Sequence, residues 1–335
     1  MPSAVHASAP ARVDLAGGTL DLWPLHVLHP GTVTVNFAVG LYASCRARPS
    51  VATFRVFSAD GAFERSSPDA AGLLADPRAA LVGSILDALE IRDPVEIELS
   101  TEVPFGSGLG GSSALTVALL GALEPFSPRD LAGVDRVDFV RDVETRVLGK
   151  PAGVQDYYPA LSGGIHTIVF DPGATRARRR DVDPSAWERH VTLFDTGAAH
   201  SSGMNNWEIL RARLEGNDHV AAGLEGVRRA AVAMAAALEG NDFAAMGAAL
   251  AQEWESRRRL APVVATPRID RAIAAARAAG AWGGKACGAG GGGFVVVLSP
   301  PVATAAVRAA LAGLQEGKVV SAPLVSRGLR VAKEP

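Results

Sequence analysis

Val103-Pro104-Phe105-Gly106-Ser107-Gly108-Leu109-Gly110-Gly111-Ser112-Ser113-Ala114 is the stretch on which the fold turns. Four glycines fall within six residues, between an alternating run that ends near Leu99 and a helical pattern that opens at Ala114. Glycine adopts positive φ and admits close backbone approach, so successive N–H groups can converge on one concavity. Ser112 or Ser113 is placed to cap the helix, whose positive end adds to the same field. A bend of this kind binds phosphate. An ordinary Gly/Ser-rich turn with an N-cap is the plainer alternative, and the density of glycine weighs against it.

Two familiar phosphate loops are excluded. A Walker loop closes on a Lys-Ser/Thr pair, and no lysine lies between Arg46 and Lys150. Gly106, Gly108 and Gly111 do satisfy the spacing GxGxxG. A dinucleotide unit then needs a second parallel strand ending in an acidic residue ~20 positions on. Here Glu124-Pro125-Phe126-Ser127-Pro128 leads directly into another helical pattern, so that reading fails on context.

Two further clusters lie far away in the chain. Lys285-Ala286-Cys287-Gly288-Ala289-Gly290-Gly291-Gly292-Gly293-Phe294 runs from loop into a dense apolar strand, the opposite polarity. Its glycines exclude side-chain bulk from whatever sits above them. Near the N-terminus, Ala9-Pro10-Ala11-Arg12-Val13-Asp14-Leu15-Ala16-Gly17-Gly18-Thr19-Leu20-Asp21 offers a cation, two carboxylates and a tight turn.

Between these clusters, alternation predicts strands at 33–38, 54–57, 95–99, 163–170, 191–194, 294–298 and 318–325. Helical spacing predicts helices at 77–89, 114–123, 128–148, 224–238, 242–259, 267–279 and 301–314, with Gly149 as a C-cap. The segment 172–183 is polar, arginine-rich and bounded by proline, and reads as a domain boundary. The result is an α+β protein of two lobes, 1–180 and 181–335.

Composition narrows the partners. Hydrophobic residues at 48% and charged residues at 20% supply a sizeable core and exclude disorder. Lys+Arg 33 against Asp+Glu 35 leaves no basic excess for a polyphosphate backbone, so nucleic acid is not expected. No apolar run approaches the ~20 residues of a spanning helix, so no membrane partner is expected either. Cys45 and Cys287 are too few for a disulfide framework, and a cytoplasmic monomer or homodimer is the expectation.

Together the three glycine-bearing segments resemble the three motifs of the GHMP kinases, the family of galactokinase, homoserine kinase, mevalonate kinase and phosphomevalonate kinase. The stretch from Pro10 to Asp21 resembles motif one. Pro104 to Ala114 resembles the Pro-x-x-x-Gly-Leu-x-Ser-Ser-Ala of motif two with one extra small residue, and Gly288 to Gly293 resembles motif three. Their order and spacing follow the family over nearly the whole chain. Within it, Ala16-Gly17-Gly18 with Asp21, Glu144-Thr145-Arg146-Val147-Leu148-Gly149, Gly153-Val154-Gln155-Asp156-Tyr157, Gly163-Gly164, Glu253-Trp254 and Gly283-Gly284-Lys285 are similar to sugar 1-kinases of the heptose 7-phosphate kinase and fucokinase type. Two places differ from that group. Thr19-Leu20 stands where it carries Gly-Thr or Trp-Thr, and His200-Ser201-Ser202 stands where an arginine is usual.

The resemblance implies a two-lobed GHMP kinase fold, with a ribosomal protein S5 domain 2-like N-terminal lobe and a ferredoxin-like C-terminal lobe. It also implies an ATP- and Mg²⁺-dependent kinase whose acceptor is a sugar or sugar phosphate, phosphorylated at the anomeric hydroxyl. By carry-over, Pro104, Gly106, Ser107, Gly108, Leu109, Gly110, Gly111, Ser112 and Ser113 hold the nucleotide. Ser113, or its neighbour Ser112, and Glu144 hold the metal. Asp156 takes the proton of the attacking hydroxyl and Arg12 offsets developing charge. Gly17, Gly18, Asp21, His200, Gly290 and Gly291 bind the acceptor.

Each role has a plainer competitor. Glu144 lies in the charged helical run 141–146, whose plainer reading is a solvated face. Asp156 reads as a turn former, and Arg12 as a partner of Asp14 or Asp21. His200 beside Ser201 does not make a hydrolase, since sequence neighbours rarely supply triad geometry. Trp207, Trp254 and Trp282 read as packing, Arg176 to Arg180 as a hairpin tip or an anion site, and Cys287 as a thiol open to reagents. Two other functions stay open: a mevalonate-type kinase or decarboxylase, and a catalytically silent sensor, against which the pairing of Glu144 with Asp156 argues.

Overall fold

The computed structural model describes residues 3–198 and 202–334. The first half threads seven strands, β1 (Ala4–Ala16), β2 (Val33–Pro49), β3 (Phe54–Ser58), β4 (Glu64–Ser67), β5 (Val95–Thr101), β6 (Ile165–Asp171) and β7 (Ala174–Arg180). Its helices are α1 (Leu25–Leu28), α2 (Ala70–Ala75), α3 (Ala80–Ala88), α4 (Gly111–Leu123), α5 (Arg136–Leu148) and α6 (Tyr157–Ser162). The second half adds α7 (Pro184–Glu188), β8 (Val191–Asp195), α8 (Ser202–Leu214), α9 (Asp218–Glu239), α10 (Phe243–Arg257) and α11 (Pro267–Ala278). It closes with β9 (Gly283–Ala286), β10 (Phe294–Leu298), α12 (Pro301–Ala312), β11 (Lys318–Val320) and β12 (Arg330–Glu334).

Two sheets organise these elements, as an α+β reading requires. The larger runs β12-β1-β2-β5-β3-β4, with β6 on β2 and β7 on β6; the smaller runs β11-β8-β10-β9, all antiparallel. Strand β2 is long enough to serve two neighbours. Val33 to Phe37 pair with β6, and Ala43 to Pro49 pair with β5. A register shift in β1 between Pro10 and Ala11 accompanies this change of partner.

The larger sheet is covered on both faces. On one lie α3, α4, α5 and α6 over residues such as Val5, Ala7, Cys45 and Ile97. On the other, Val13, Leu15 and Phe37 pack against Ala231, Leu250 and the smaller sheet's Leu193, Phe294 and Val296. The alternation of β10 divides that strand. Phe294, Val296 and Leu298 face the larger sheet, while Val295 and Val297 face Ile269, Ile273, Val307 and Leu311 of α11 and α12. Helix α4 buries ten of its thirteen residues and is apolar all round, as a central helix must be. Its N-terminus, with the loop before it, is thereby fixed between the two layers.

Several sequence expectations need correction. Within the segment 172–183 lies a strand not expected there, since 174–180 form β7, the exposed partner of β6. There Arg176 pairs with Asp171, Arg178 with Glu239 and Arg179 with Asp181, the hairpin alternative. β1 was not among the strands expected, although Val5, Ala7, Ala9, Ala11, Val13 and Leu15 alternate with His6, Ser8, Pro10, Arg12 and Asp14. The helix expected from 128 begins at Arg136, where Asp135 accepts hydrogen bonds from Val137 and Asp138. The strand expected over 318–325 stops at Val320, shortly before Pro323. The last strand, β12, returns to the first sheet and pairs with β1. No helix among the described residues is long and apolar enough to cross a membrane.

Candidate active site

The loop 104–110 leaves β5 and enters α4 through three glycines of positive φ: Gly106 (67°), Gly108 (75°) and Gly110 (69°). Gly110 is the N-cap, and no side chain caps the helix. This corrects the capping role expected of the serines. Ser112 and Ser113 lie inside the first turn, where their hydroxyls reach away to Glu144. Within the loop, Ser107 N–H donates to Pro104 O at 3.1 Å and Leu109 N–H to Ser107 Oγ at 3.3 Å. Pro104 is exposed, while Leu109 is a core residue that contributes its main chain to the loop.

Arg12 joins this loop to the carboxylate beyond it. Its Nε donates to Asp156 Oδ1 at 2.8 Å and its Nη2 to Asp156 Oδ2 at 3.1 Å. Its Nη1 donates to Gly108 O, and its main-chain N–H donates to Leu109 O at 2.9 Å. Arg12 therefore pairs with neither Asp14 nor Asp21. Burial alone would lower its pKa, but the charges of Asp156 and Asp14 outweigh this and raise it. Asp156 keeps 20% of its side chain exposed, so its partner does not seal it from solvent.

The third glycine run closes on the same loop. A Cβ on Gly288 would meet Gly108 O at 3.0 Å, and one on Gly293 would collide with Ser107 O. Phe294 N–H donates to Ser107 O at 2.8 Å. Gly290 and Gly291 lie elsewhere in this run, against Val264, whose carbonyl accepts from Gly291 N–H at 2.8 Å. Three segments more than ninety residues apart thus meet around Gly108.

The N-terminal turn forms the other wall. Gly17 has φ +88°, and a Cβ there would strike Val33 O; one on Gly18 would lie 2.6 Å from Asp14 Oδ2. Asp21 is buried, with its Oδ2 accepting from Gln155 N–H at 3.1 Å. Burial, and then the charge of Asp156, push its pKa up to about 6. His200 lies outside the described residues.

Glu144 faces inward and is no solvated residue. Its Oε1 accepts from Ser112 Oγ at 2.9 Å and Thr116 Oγ1 at 3.1 Å; its Oε2 accepts from Ser113 Oγ at 2.9 Å and from the Tyr157 hydroxyl. Burial raises its pKa against the pull of these hydroxyls. Ser112 is exposed, whereas Ser113 and Glu144 are buried.

Sequence reasoning missed several participants. Thr116 and Tyr157 complete the shell of Glu144, and Gln155 holds Asp21. Thr116 sits one turn beyond the serines and Tyr157 adjoins Asp156, spacings that offered a signal. Behind the N-terminal turn, Asp14, Glu253, Arg257 and Lys285 form a fully buried charge cluster. Glu253 and Lys285 carried the resemblance without a role, and Arg257 shows only as the (i, i+4) partner of Glu253, which in sequence reads as surface. Cys287 is fully buried and its thiol is pushed up to about 12, so it is not open to reagents as expected. Trp254 is buried and Trp282 stacks on His190, in line with packing roles.

Two family models match the chain: the GHMP kinases N terminal domain over residues 79–164 and the GHMP kinases C terminal model over 234–314. Over 320 residues the chain is 26% identical to the D-glycero-alpha-D-manno-heptose 7-phosphate kinase of Campylobacter jejuni, spanning 89% of this chain and 90% of that protein. It is 28% identical over 331 residues to the galactokinase of Mycobacterium tuberculosis, spanning 88% and 89% respectively. A solved D-glycero-D-manno-heptose 1-phosphate kinase from Bacteroides thetaiotaomicron shares the fold, with TM-score 0.76, 23% identity and 99% of each chain covered.

Proposed function

The chain is a kinase of the GHMP family, and from that premise we propose that it transfers a phosphoryl group from ATP, with Mg²⁺, to a hydroxyl of a sugar or sugar phosphate. The acceptor assigned is the anomeric hydroxyl of a heptose-7-phosphate-like sugar. Residues 1–180 serve as the nucleotide-binding lobe and 181–335 as its partner. The full-length relatives named as a heptose 7-phosphate kinase and a galactokinase support a sugar acceptor. The observation that carries the reading is Arg12, which holds Asp156 by two hydrogen bonds and Gly108 O by a third.

Phosphoryl transfer needs alignment and charge neutralisation more than covalent help. The amides of 106–113, at the uncapped start of α4, receive the nucleotide phosphates. Asp156 accepts the proton of the attacking hydroxyl, its two oxygens oriented by Arg12. Arg12 also sets positive charge between that carboxylate and the loop, where negative charge develops on transfer. Asp21 accepts hydrogen bonds from acceptor hydroxyls beside the Gly17–Gly18 turn.

The donor set fits Mg²⁺. Ser113 Oγ and Glu144 Oε2, 2.9 Å apart, are hard oxygen donors of the kind that Mg²⁺ takes. Ser113 and Glu144 would hold the ion, which when bound neutralises phosphate charge.

An ATP-consumption screen over heptose 7-phosphate, L-fucose, galactose, inositol and mevalonate, run on wild type and Asp156→Asn, tests the reading. Turnover of a sugar by wild type alone is expected. Nucleotide binding with turnover of none of the five would favour a silent sensor, and mevalonate turnover the isoprenoid alternative.

A further inference from the structure

The N-terminal turn contains a strained residue. Thr19 has φ +74°, a left-handed conformation that suits glycine and penalises a β-branched side chain. Such a conformation persists only where its surroundings over-determine it. Here Arg257 Nη1 donates to Thr19 Oγ1 at 3.1 Å and its Nη2 donates to Gly18 O at 2.6 Å. Thr19 Oγ1 in turn donates to Asn206 Oδ1 at 2.8 Å.

Arg257 is itself held from behind. Its Nε donates to Glu253 Oε1 at 2.8 Å, and Lys285 Nζ lies 3.7 Å from the same oxygen. Lys285 Nζ donates to Asp14 Oδ2 at 2.7 Å and to Asp14 O at 3.1 Å. Lys285 and Arg257 therefore grip the two ends of segment 14–19. All four charged side chains are 0% exposed. Two cations balance two carboxylates, yet desolvation offsets most of the Coulomb gain in such a cluster, so stability alone is a poor reason for it. Its geometry supplies another. Beyond Thr19 the chain turns through Leu20 N–H to Gly17 O and Leu22 N–H to Thr19 O, which sets where Asp21 points.

We propose that Arg257 is a positioning residue for the acceptor site. Through Thr19 it locks the turn in the left-handed conformation that presents Asp21 beside Asp156, and Glu253, Lys285 and Asp14 complete the strut. Lys285 lies on β9 just ahead of the third glycine run, so the strut ties that wall of the cleft to the turn as well. Threonine at 19 trades backbone ease for an oxygen that Arg257 can hold. The inference rests on the phosphotransfer reading and deepens it.

The test compares wild type with Thr19→Gly, Thr19→Ser, Arg257→Lys and the charge-balanced pair Arg257→Met with Glu253→Gln. Steady-state kinetics use the acceptor that wild type turns over. Thr19→Gly and Arg257→Lys are expected to raise acceptor KM at least tenfold and leave ATP KM within twofold, while Thr19→Ser restores acceptor KM to within twofold of wild type. Thr19→Gly should not lower the melting temperature, because it relieves the backbone. A merely structural role would raise both KM values together and lower stability, and that result, or an unchanged acceptor KM, overturns the proposal. Amide hydrogen exchange needs no substrate. Exchange over 15–22 should rise at least tenfold in Thr19→Gly and Arg257→Lys, with 104–110 within twofold; unchanged exchange also overturns it. If wild type turns over no acceptor but exchange rises as stated, the phosphotransfer reading fails and the positioning role stands.

Discussion

Asp21 Oδ2 occupies the space that a side chain on Gly153 would take, and even Asp21 Cγ lies only 2.8 Å from an ideal Cβ there. The carboxylate is wedged between the N-terminal turn and the segment that leads to Asp156. Gly153 is the residue whose missing side chain allows this.

Gly153→Ala should therefore displace Asp21 without disturbing the phosphate loop. Acceptor KM is expected to rise about tenfold, which corresponds to roughly 1.4 kcal/mol. ATP KM should stay within twofold. Steady-state kinetics with each substrate varied in turn check the split, and a parallel rise in both constants would contradict it.

Asp21 also gives a pH signature. Its carboxyl, near 3.8 ordinarily, stands at about 6 in the folded chain. Folding therefore favours the protonated form by roughly 3 kcal/mol. That contribution is fully present below pH 4 and is lost as pH rises through 6. Asp21→Asn, which cannot ionise, should melt several degrees above wild type at pH 7.5 and level with it at pH 4. Thermal melts across that range decide it, and a gap that does not change with pH would count against the assignment.

Asp156→Asn keeps the size of the side chain and removes its basicity. Turnover should fall by about two to four orders of magnitude, the usual contribution of a positioned base. Nucleotide affinity, measured by calorimetry, should remain within twofold. Equal loss of both would mark Asp156 as a structural partner of Arg12.

Ser113→Ala with Glu144→Gln removes the hydroxyl and the charge assigned to the metal. The Mg²⁺ concentration for half-maximal turnover should rise at least tenfold, read by metal titration at fixed ATP. An unchanged titration would argue that Glu144 serves only to anchor α4 through its hydroxyl partners.

Much of the fold was legible in the sequence where one face of an element is buried and the other wet. Strands β3, β5 and β6 and helices α9 to α12 show that contrast. β1 carries a period of two from Val5 to Leu15, but its polar positions from Pro10 on are buried with the apolar ones, so it stood out only as a charged motif. β7 gave no alternation to read: six of its seven residues are exposed, so its arginines looked like a polar boundary segment. Among site residues, glycines announced themselves, because a run of them has few structural uses. Lone charges did not. Glu144 looks like its neighbours Arg141 and Asp142, yet they are half-buried and exposed on α5 while it is buried among hydroxyls.

By itself the order of residues determined where the backbone bends sharply, which runs become helix or strand, and that three such bends are built of glycine. These are local properties, set by φ freedom and by periodicity within a few residues. Which charge answers which was decided only in three dimensions. Arg12 passes over Asp14 to meet Asp156, and Lys285 reaches back 271 positions to Asp14. Those partnerships depend on the pairing of β1 with β2 and on how α10 and β9 dock behind the turn. A buried ion is costly unless matched, so the packed core, rather than proximity along the chain, selects its partner.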